Sequence, residues 1–351
     1  MPTVPATPAT PAIPAAPATP APAHPPRPNP RLLADVGGTN ARFAWQAGPG
    51  EAIGDALTLR CADHAHIGDA MAAALAHFTA LGQARPAACA IAIANPVTGD
   101  RVQMTNHGWS FSIEALRLQF GFARLRVIND FTALALALPS LPAQDRRQVG
   151  GGAAVAGSAI GLIGPGTGLG VSGMLPTGRG GWVPLQGEGG HATLAGCTPR
   201  EQAVLNWLAA LYGHASAERA VCGQGLVDIY RALCALDAPA APLRDLDAAA
   251  VTQGALQHRD PVCTEAVGLF CAFLGTAAGN LALTLGALGG VYIGGGIVPR
   301  LGPLFDASPF RQRFEAKGRF GAMLAGIPVW VIQARQSPAL HGAANALDDG
   351  A

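Results

Sequence analysis

A chain of 351 residues, 50% hydrophobic and 13% charged, holds enough apolar material for a large core, organised as two lobes of one unit. Its formal net charge of +1 gives no electrostatic pull toward nucleic acid or an anionic membrane surface, so a small-molecule substrate fits better. The seven cysteines, Cys61, Cys89, Cys197, Cys222, Cys234, Cys263 and Cys271, contain no C-x-x-C pair, which points to a reducing, cytoplasmic compartment and no structural metal.

Residues 1–30 repeat proline, alanine and threonine, lack a signal-peptide core, and are expected to be a disordered tail outside the fold. "RLLADVGGTNARFAWQ", residues 31–46, reads as strand, tight turn, strand, with Ala41, Phe43 and Trp45 in period two. "AACAIAIANPV" is a buried strand. Ser112 caps a helix that runs to about Gly121, and "LRVIND" is a strand ending where "FTALALAL" starts a helix stopped by Pro139. The strand, turn, strand plan recurs in "AIGLIGPGTGLGVSGMLP", as an ancient duplication would leave it. Thr198, Pro199 and Glu201 form a capping-box arrangement opening a helix that Gly213 closes.

Between Glu265 and Arg300 no charged residue occurs, a length sufficient to span a bilayer. Gly275, Gly279, Asn280, Gly286 and the glycines from Gly289 to Gly296 interrupt it, so a buried helix followed by a buried strand is the better reading. "IPVWVIQA" is a late strand. Strands alternating with helices around hairpins place the chain among mixed α/β folds.

Glycines in both turns let backbone amides converge on an anion, although an ordinary hairpin loop explains either turn alone. A P-loop needs Gly-Lys-Ser/Thr before a helix and a dinucleotide fold needs G-x-G-x-x-G between strand and helix; neither occurs here. What remains is a pair of hairpins, Gly37, Gly38, Thr39 and Asn40 in one and Gly164, Gly166, Thr167 and Gly168 in the other. Facing each other across a cleft, they would grip one polyphosphate from two sides. Lys317 is the only lysine, so the phosphate charge calls for a divalent cation, held by Asp35 directly or through water. Asp35 equally suits capping of its turn. Gly294, Gly295 and Gly296 admit close approach of a nucleotide base or ribose, or tight strand-helix packing.

Asp130 stands where a strand ends and a helix begins, the edge at which ligands collect in open α/β sheets. There it can accept a hydroxyl proton, or it or Asn129 can simply cap the helix. Glu188 and His191 flank Gly189 and Gly190, which disfavour a helix, so a loop presents carboxylate and imidazole to a polar ligand. Glu218 follows Ser216 near a helix start, either as a ligand or as a first-turn acid.

Taken in order, "DVGGTNARFA", "NPVTGDRVQMTNHGWSFS", "VINDFTALALALP", "GPGTGLGVS", "GEGGHA", "HASAERAVCGQGLVDIYRAL", "GGVYIGGGIVPR" and "FEAKGRF" resemble bacterial glucokinases of the hexokinase, actin and Hsp70 ATPase superfamily. The resemblance spans Arg31 to the C-terminus. It implies a two-lobed, ribonuclease-H-like α/β fold: a small lobe of residues 31–138 rejoined by 332–351, and a large lobe of 139–331. It implies transfer of the ATP γ-phosphoryl group to the glucose 6-hydroxyl, with Asp130 as base and Asn129, Glu188, His191 and Glu218 on sugar hydroxyls. The segments from Asp35 to Asn40 and from Gly164 to Gly170 would hold phosphates and Mg²⁺, with Gly294 to Gly296 near adenosine. Related members form homodimers. Only Cys197 remains of a relative's zinc signature, so no zinc is expected.

Three rivals differ in chemistry. A kinase for another hexose would share the site. A sugar-sensing regulator needs a helix-turn-helix, which proline-rich residues 1–30 cannot form. A superfamily ATPase without a sugar substrate would leave Glu188, His191 and Glu218 without a ligand.

Overall fold

The segment from Arg31 to Gln46 folds as an antiparallel hairpin in the computed structural model, which describes residues 29–105, 107–178, 180–238, 240, 242–257 and 260–348. The expected disorder of residues 1–28 lies outside the described residues. The hairpin strands are β1 (Arg31–Val36) and β2 (Asn40–Gln46), followed by β3 (Leu57–Arg60), α1 (Ile67–Ala80) and β4 (Ala88–Ile93). Next come a small hairpin, β5 (Arg101–Gln103) and β6 (Ser110–Ser112), then α2 (Ile113–Phe120), β7 (Arg124–Asn129) and α3 (Asp130–Ala137). Five of these strands form one sheet in the order β3-β2-β1-β4-β7. Every residue of β4 is buried, as a strand flanked by parallel neighbours and covered on both faces requires.

A second sheet repeats the plan. It contains β8 (Arg146–Val149), β9 (Ile160–Pro165), β10 (Leu169–Pro176) and β11 (Trp182–Leu185). Helices α4 (Pro199–Tyr212), α5 (Ala217–Ala220), α6 (Gly223–Asp237), α7 (Ala248–Leu256) and α8 (Pro261–Leu285) follow, then β12 (Val291–Ile293). The short helices α9 (Ile297–Leu301), α10 (Pro303–Asp306), α11 (Phe310–Glu315) and α12 (Gly321–Ala325) lead to β13 (Val329–Ile332) and the final α13 (Pro338–Asp348). The order β11-β10-β9-β12-β13-β8 mirrors the first sheet, with β8 added at an edge. In both sheets the first hairpin strand pairs antiparallel with its partner and parallel with a later strand. That repetition is what a duplicated unit would look like.

The long uncharged run folds as α8 followed by β12. Although α8 is long and apolar enough to cross a bilayer, most of it is buried against α6, α7 and α11, with Phe270, Phe273 and Leu274 in the core. Caps set several boundaries. Ser112 Oγ accepts from Ala115 N–H and Gly121 ends α2 in the left-handed region at φ 66°. Thr198 Oγ1 accepts from Glu201 N–H, with Pro199 at the first helical position and Gly213 closing α4.

One expectation needs correction: the capping box at Thr198 is only half formed. Glu201 is buried, and its carboxylate accepts from Cys197 N–H at 2.7 Å and from both Nη atoms of Arg313 at 2.9 and 2.7 Å. The bidentate guanidinium and the Cys197 amide hold that carboxylate together, so it does not turn back to the Thr198 amide.

The chain ends back on the first sheet. Leu340, Ala343, Ala344 and Leu347 of α13 pack on Leu33, Ala44, Ala88 and Ala90. Buried Arg31 holds this helix through Asp348 and the Ala344 carbonyl. Helix α3 lies against α13 on one side and against β10 and β11 on the other. A Cβ on Gly342 would collide with the Ala133 carbonyl oxygen, so α13 approaches α3 as only glycine allows.

Candidate active site

The strand β7 runs parallel to β4 in register, Ile93 opposite Asn129, and delivers Asn129 and Asp130 to the sheet's carboxyl edge. Asn129 caps α3: its Oδ1 accepts from Phe131 N–H at 2.9 Å and Thr132 N–H at 3.0 Å. Its Nδ2 donates to Asp130 Oδ1 at 3.1 Å, and Phe131 N–H reaches the same oxygen at 2.8 Å. Capping and ligand presentation are therefore not exclusive at Asn129.

These donors and the helix terminus favour an ionised Asp130. Burial works against them and wins, pushing its carboxyl up to about 6, and the nearby negative charge of Asp35 adds to the rise. The two carboxylates face one another's field across the same space. An open cleft of about 770 Å³ is lined by Asp35, Gly37 and Arg42 from the first hairpin, Asp130 and Phe131 from α3, and Gly294, Gly295 and Gly296.

The first turn closes by its own backbone, Gly37 N–H donating to the Asn40 carbonyl at 2.9 Å, with the Thr39 carbonyl accepting from Cys61 N–H at 2.8 Å. Gly38 completes it and Thr39 is exposed at the tip. Among the described residues, the side-chain partner of Asp35 is Arg42, whose Nη1 donates to Oδ2 at 3.2 Å. Asp35 thus points along the cleft and does not cap its turn. Reading the sequence for lysine missed Arg42. The signal was present, because a hairpin that pairs Val36 with Ala41 places Arg42 directly opposite Asp35.

In the second turn, Gly166 N–H donates to the Gly168 carbonyl at 2.8 Å and Gly223 N–H to the Gly166 carbonyl at 2.9 Å, leaving Thr167 exposed. Gly164 is buried, and its missing side chain makes room for the Phe131 ring; a Cβ on Gly170 would stand 2.5 Å from that ring. Phe131 therefore locks the residue beside Asp130 onto the second hairpin. Gly295, at φ 79°, sits against the Pro165 carbonyl where no side chain fits. The three glycines beside β12 so combine tight packing with a bare wall of the cleft.

Glu218 is tied to the same hairpin, its Oε2 accepting from Leu169 N–H at 2.8 Å. Its Oε1 lies 3.8 Å from Nε2 of His191. Glu188 and His191 bracket a short 3-10 turn, Gly189–His191, whose Gly190 is pressed onto the Leu169 carbonyl. Both side chains are exposed, ready for a ligand. Glu188 and Asn129 line a cavity of about 250 Å³ together with Thr98, Ser172 and Gln186, which the sequence reading does not single out. Thr98 and Ser172 lie within two of the quoted segments and Gln186 directly precedes a third, but only the fold gathers their side chains at one cavity.

The structure thus brings Asp35, Gly37, Asp130 and the glycines of 294–296 into one cleft, and Asn129 and Glu188 into the cavity beside it. Phe131 connects the second hairpin to the cleft, and Glu218 joins that hairpin to His191. Such a constellation can accept a proton at a carboxylate, orient hydroxyls with two further carboxylates and an imidazole, and hold an anion near Arg42.

A family model described as Glucokinase matches residues 32–350. The glucokinase of Aromatoleum aromaticum is 56% identical over 320 residues, covering 91% of this chain and 95% of that protein. The crystal structure of a glucokinase from an Antarctic psychrotroph superposes with a TM-score of 0.82 at 34% identity, covering 92% of this chain and 99% of that one. A ROK family glucokinase from Streptomyces griseus, solved with glucose and AMPPNP, shares the fold at 20% identity with a TM-score of 0.59, over 90% of this chain and 98% of that one.

Proposed function

The chain belongs to the glucokinase family, and we propose that its cleft transfers the γ-phosphoryl group of ATP to the 6-hydroxyl of glucose with Asp130 as general base. The observation that carries this is the place of Asp130: at a strand end, in a cleft whose other wall is bare glycine backbone, with a carboxyl raised to about 6. A base poised just below neutral pH is largely ionised yet more basic than an ordinary aspartate, as proton transfer from a hydroxyl favours. Its Oδ1 is engaged by Phe131 N–H and Asn129 Nδ2, which directs Oδ2 to the substrate hydroxyl.

In this reaction the O6–H proton passes to Asp130, the O6–Pγ bond forms, and the bond from Pγ to the bridging oxygen breaks to release ADP. Asn129, Glu188, His191 and Glu218 orient the remaining hydroxyls. Arg42 offsets phosphate charge, and the turns at Gly37–Asn40 and Gly164–Gly168 hold the phosphates, with Gly294–Gly296 under the adenosine. Two carboxylates close enough for one to raise the other's pKa form a donor set that fits a hard cation, so Asp35 would hold Mg²⁺, in part through water because Arg42 occupies one oxygen. When bound, Mg²⁺ would screen charge on the transferring phosphoryl group. The same reading makes the protein a cytoplasmic homodimer, supported by the family resemblance alone.

The test is a coupled assay with Mg-ATP and, separately, glucose, mannose, fructose and N-acetylglucosamine. Glucose is expected to give the highest kcat/KM. A higher value for another hexose would remove the sugar assignment, and ATP hydrolysis indifferent to sugar would favour an ATPase role.

A further inference from the structure

The chain passes between the two sheets twice. Residues 138–145 lead from α3 to β8, and residues 333–337 lead from β13 back to α13 on the first sheet. These connections touch, Gln333 N–H donating to the Asp145 carbonyl at 2.8 Å. Around that contact lies a second cavity of about 620 Å³, walled by both connections and by the start of α13. Gln333, Ala334 and Pro338 belong at once to this cavity and to the cleft containing Asp130.

Gln336 and Ser140 in its lining are bonded to backbone carbonyls, but four further polar side chains are not. Arg335 and His341 on one side, and the side chains of Asp145 and Gln144 on the other, have no hydrogen-bond or ion-pair partner among the described residues. A guanidinium and an imidazole suit an oxyanion, which the guanidinium can bind through two parallel bonds. A carboxylate without a basic partner suits hydroxyl donors. Leu141 and Pro142 supply apolar wall, the mixture common to small-molecule sites.

We propose that this cavity binds a small hydroxylated anion of the sugar-phosphate or hydroxy-acid class, and that its occupancy governs closure of the lobes. A ligand seated there bridges both connections, so it binds the open and closed arrangements unequally and shifts the balance between them. The kinetic consequence rests on the kinase reading; the binding does not.

Calorimetric titration of the full chain with saturating glucose, which blocks the sugar site, tests it with glucose 6-phosphate, glycerol 3-phosphate and inorganic phosphate as probes. At least one of the two hydroxylated probes is expected to bind at one site, more tightly than inorganic phosphate. Arg335→Ala should weaken it at least tenfold, and Asp145→Asn should weaken the hydroxylated probe while sparing inorganic phosphate. The same probe should change the glucose concentration for half-maximal rate at least threefold in the wild type and leave Arg335→Ala unaffected. Arg335 is exposed and unpartnered, so normal turnover of that variant without probe certifies its fold. No binding with glucose present, equal binding by Arg335→Ala, or binding without a kinetic shift would each overturn the proposal. An inactive wild type would instead overturn the kinase reading, while calorimetry still decided the site.

Discussion

Asp130 bears opposing forces: a helix terminus and two donors favour its charge, and burial beside Asp35 disfavours it more strongly. The raised value has two consequences of opposite sign. On the proposal that Asp130 is the base, activity needs its ionised form, so kcat/KM should fall tenfold per pH unit below an apparent pKa near 6, read from initial rates between pH 4.5 and 8. For stability, the native state binds the proton more tightly than the unfolded chain, so folding loses free energy as pH rises from about 4 to 6. Asp130→Asn should therefore unfold at higher denaturant than the wild type at pH 7.5, by about 1–2 kcal/mol after solvent screening, with no gain at pH 4. An equal gain at both values would mean that burial of the charge is not the cause. At this scale the sequence displayed Asp130 and Asn129 at a strand end but left both undecided between cap and ligand. Capping and charge tuning involve the same atoms, and only coordinates separate them.

Among elements, the second hairpin acts through what packs on its glycines. Phe131 seats on Gly164 and Gly170, so Gly170→Ala should push the ring and displace Asp130, lowering kcat by at least tenfold with little change in ATP affinity, as steady-state kinetics would register. Gly190→Ala should lift the turn carrying Glu188 and His191 off β10 and raise the glucose KM several-fold. The buried Glu201–Arg313 pair is structural: Glu201→Gln leaves Arg313 without its charge partner and should cost about 3–5 kcal/mol in denaturant unfolding. The hairpins, α2, α3, α4 and β4 were legible because period-two alternation, caps and unbroken apolar runs are local signals. Strands β3, β5, β6, β8 and β11 were not singled out. They span three or four residues each and carry polar or half-exposed side chains, such as Arg146, Arg147 and Gln148 in β8, so their pairing is fixed by neighbours and not by pattern. The half-formed capping box fails for a related reason, since Arg313 lies 112 positions from Glu201.

For the molecule as a whole, two sheets of one plan are joined by α3 and the returning α13, and the cleft is expected to narrow about the two connections when sugar binds. Glucose should shrink the radius of gyration in small-angle scattering, because closure excludes water that would otherwise compete for the phosphoryl group. The most direct measurement is turnover of Asp130→Asn with saturating glucose and Mg-ATP, alongside its glucose affinity. The predicted result is a hundred- to ten-thousandfold loss of kcat with glucose binding retained. Turnover close to that of the wild type would contradict proton abstraction by Asp130.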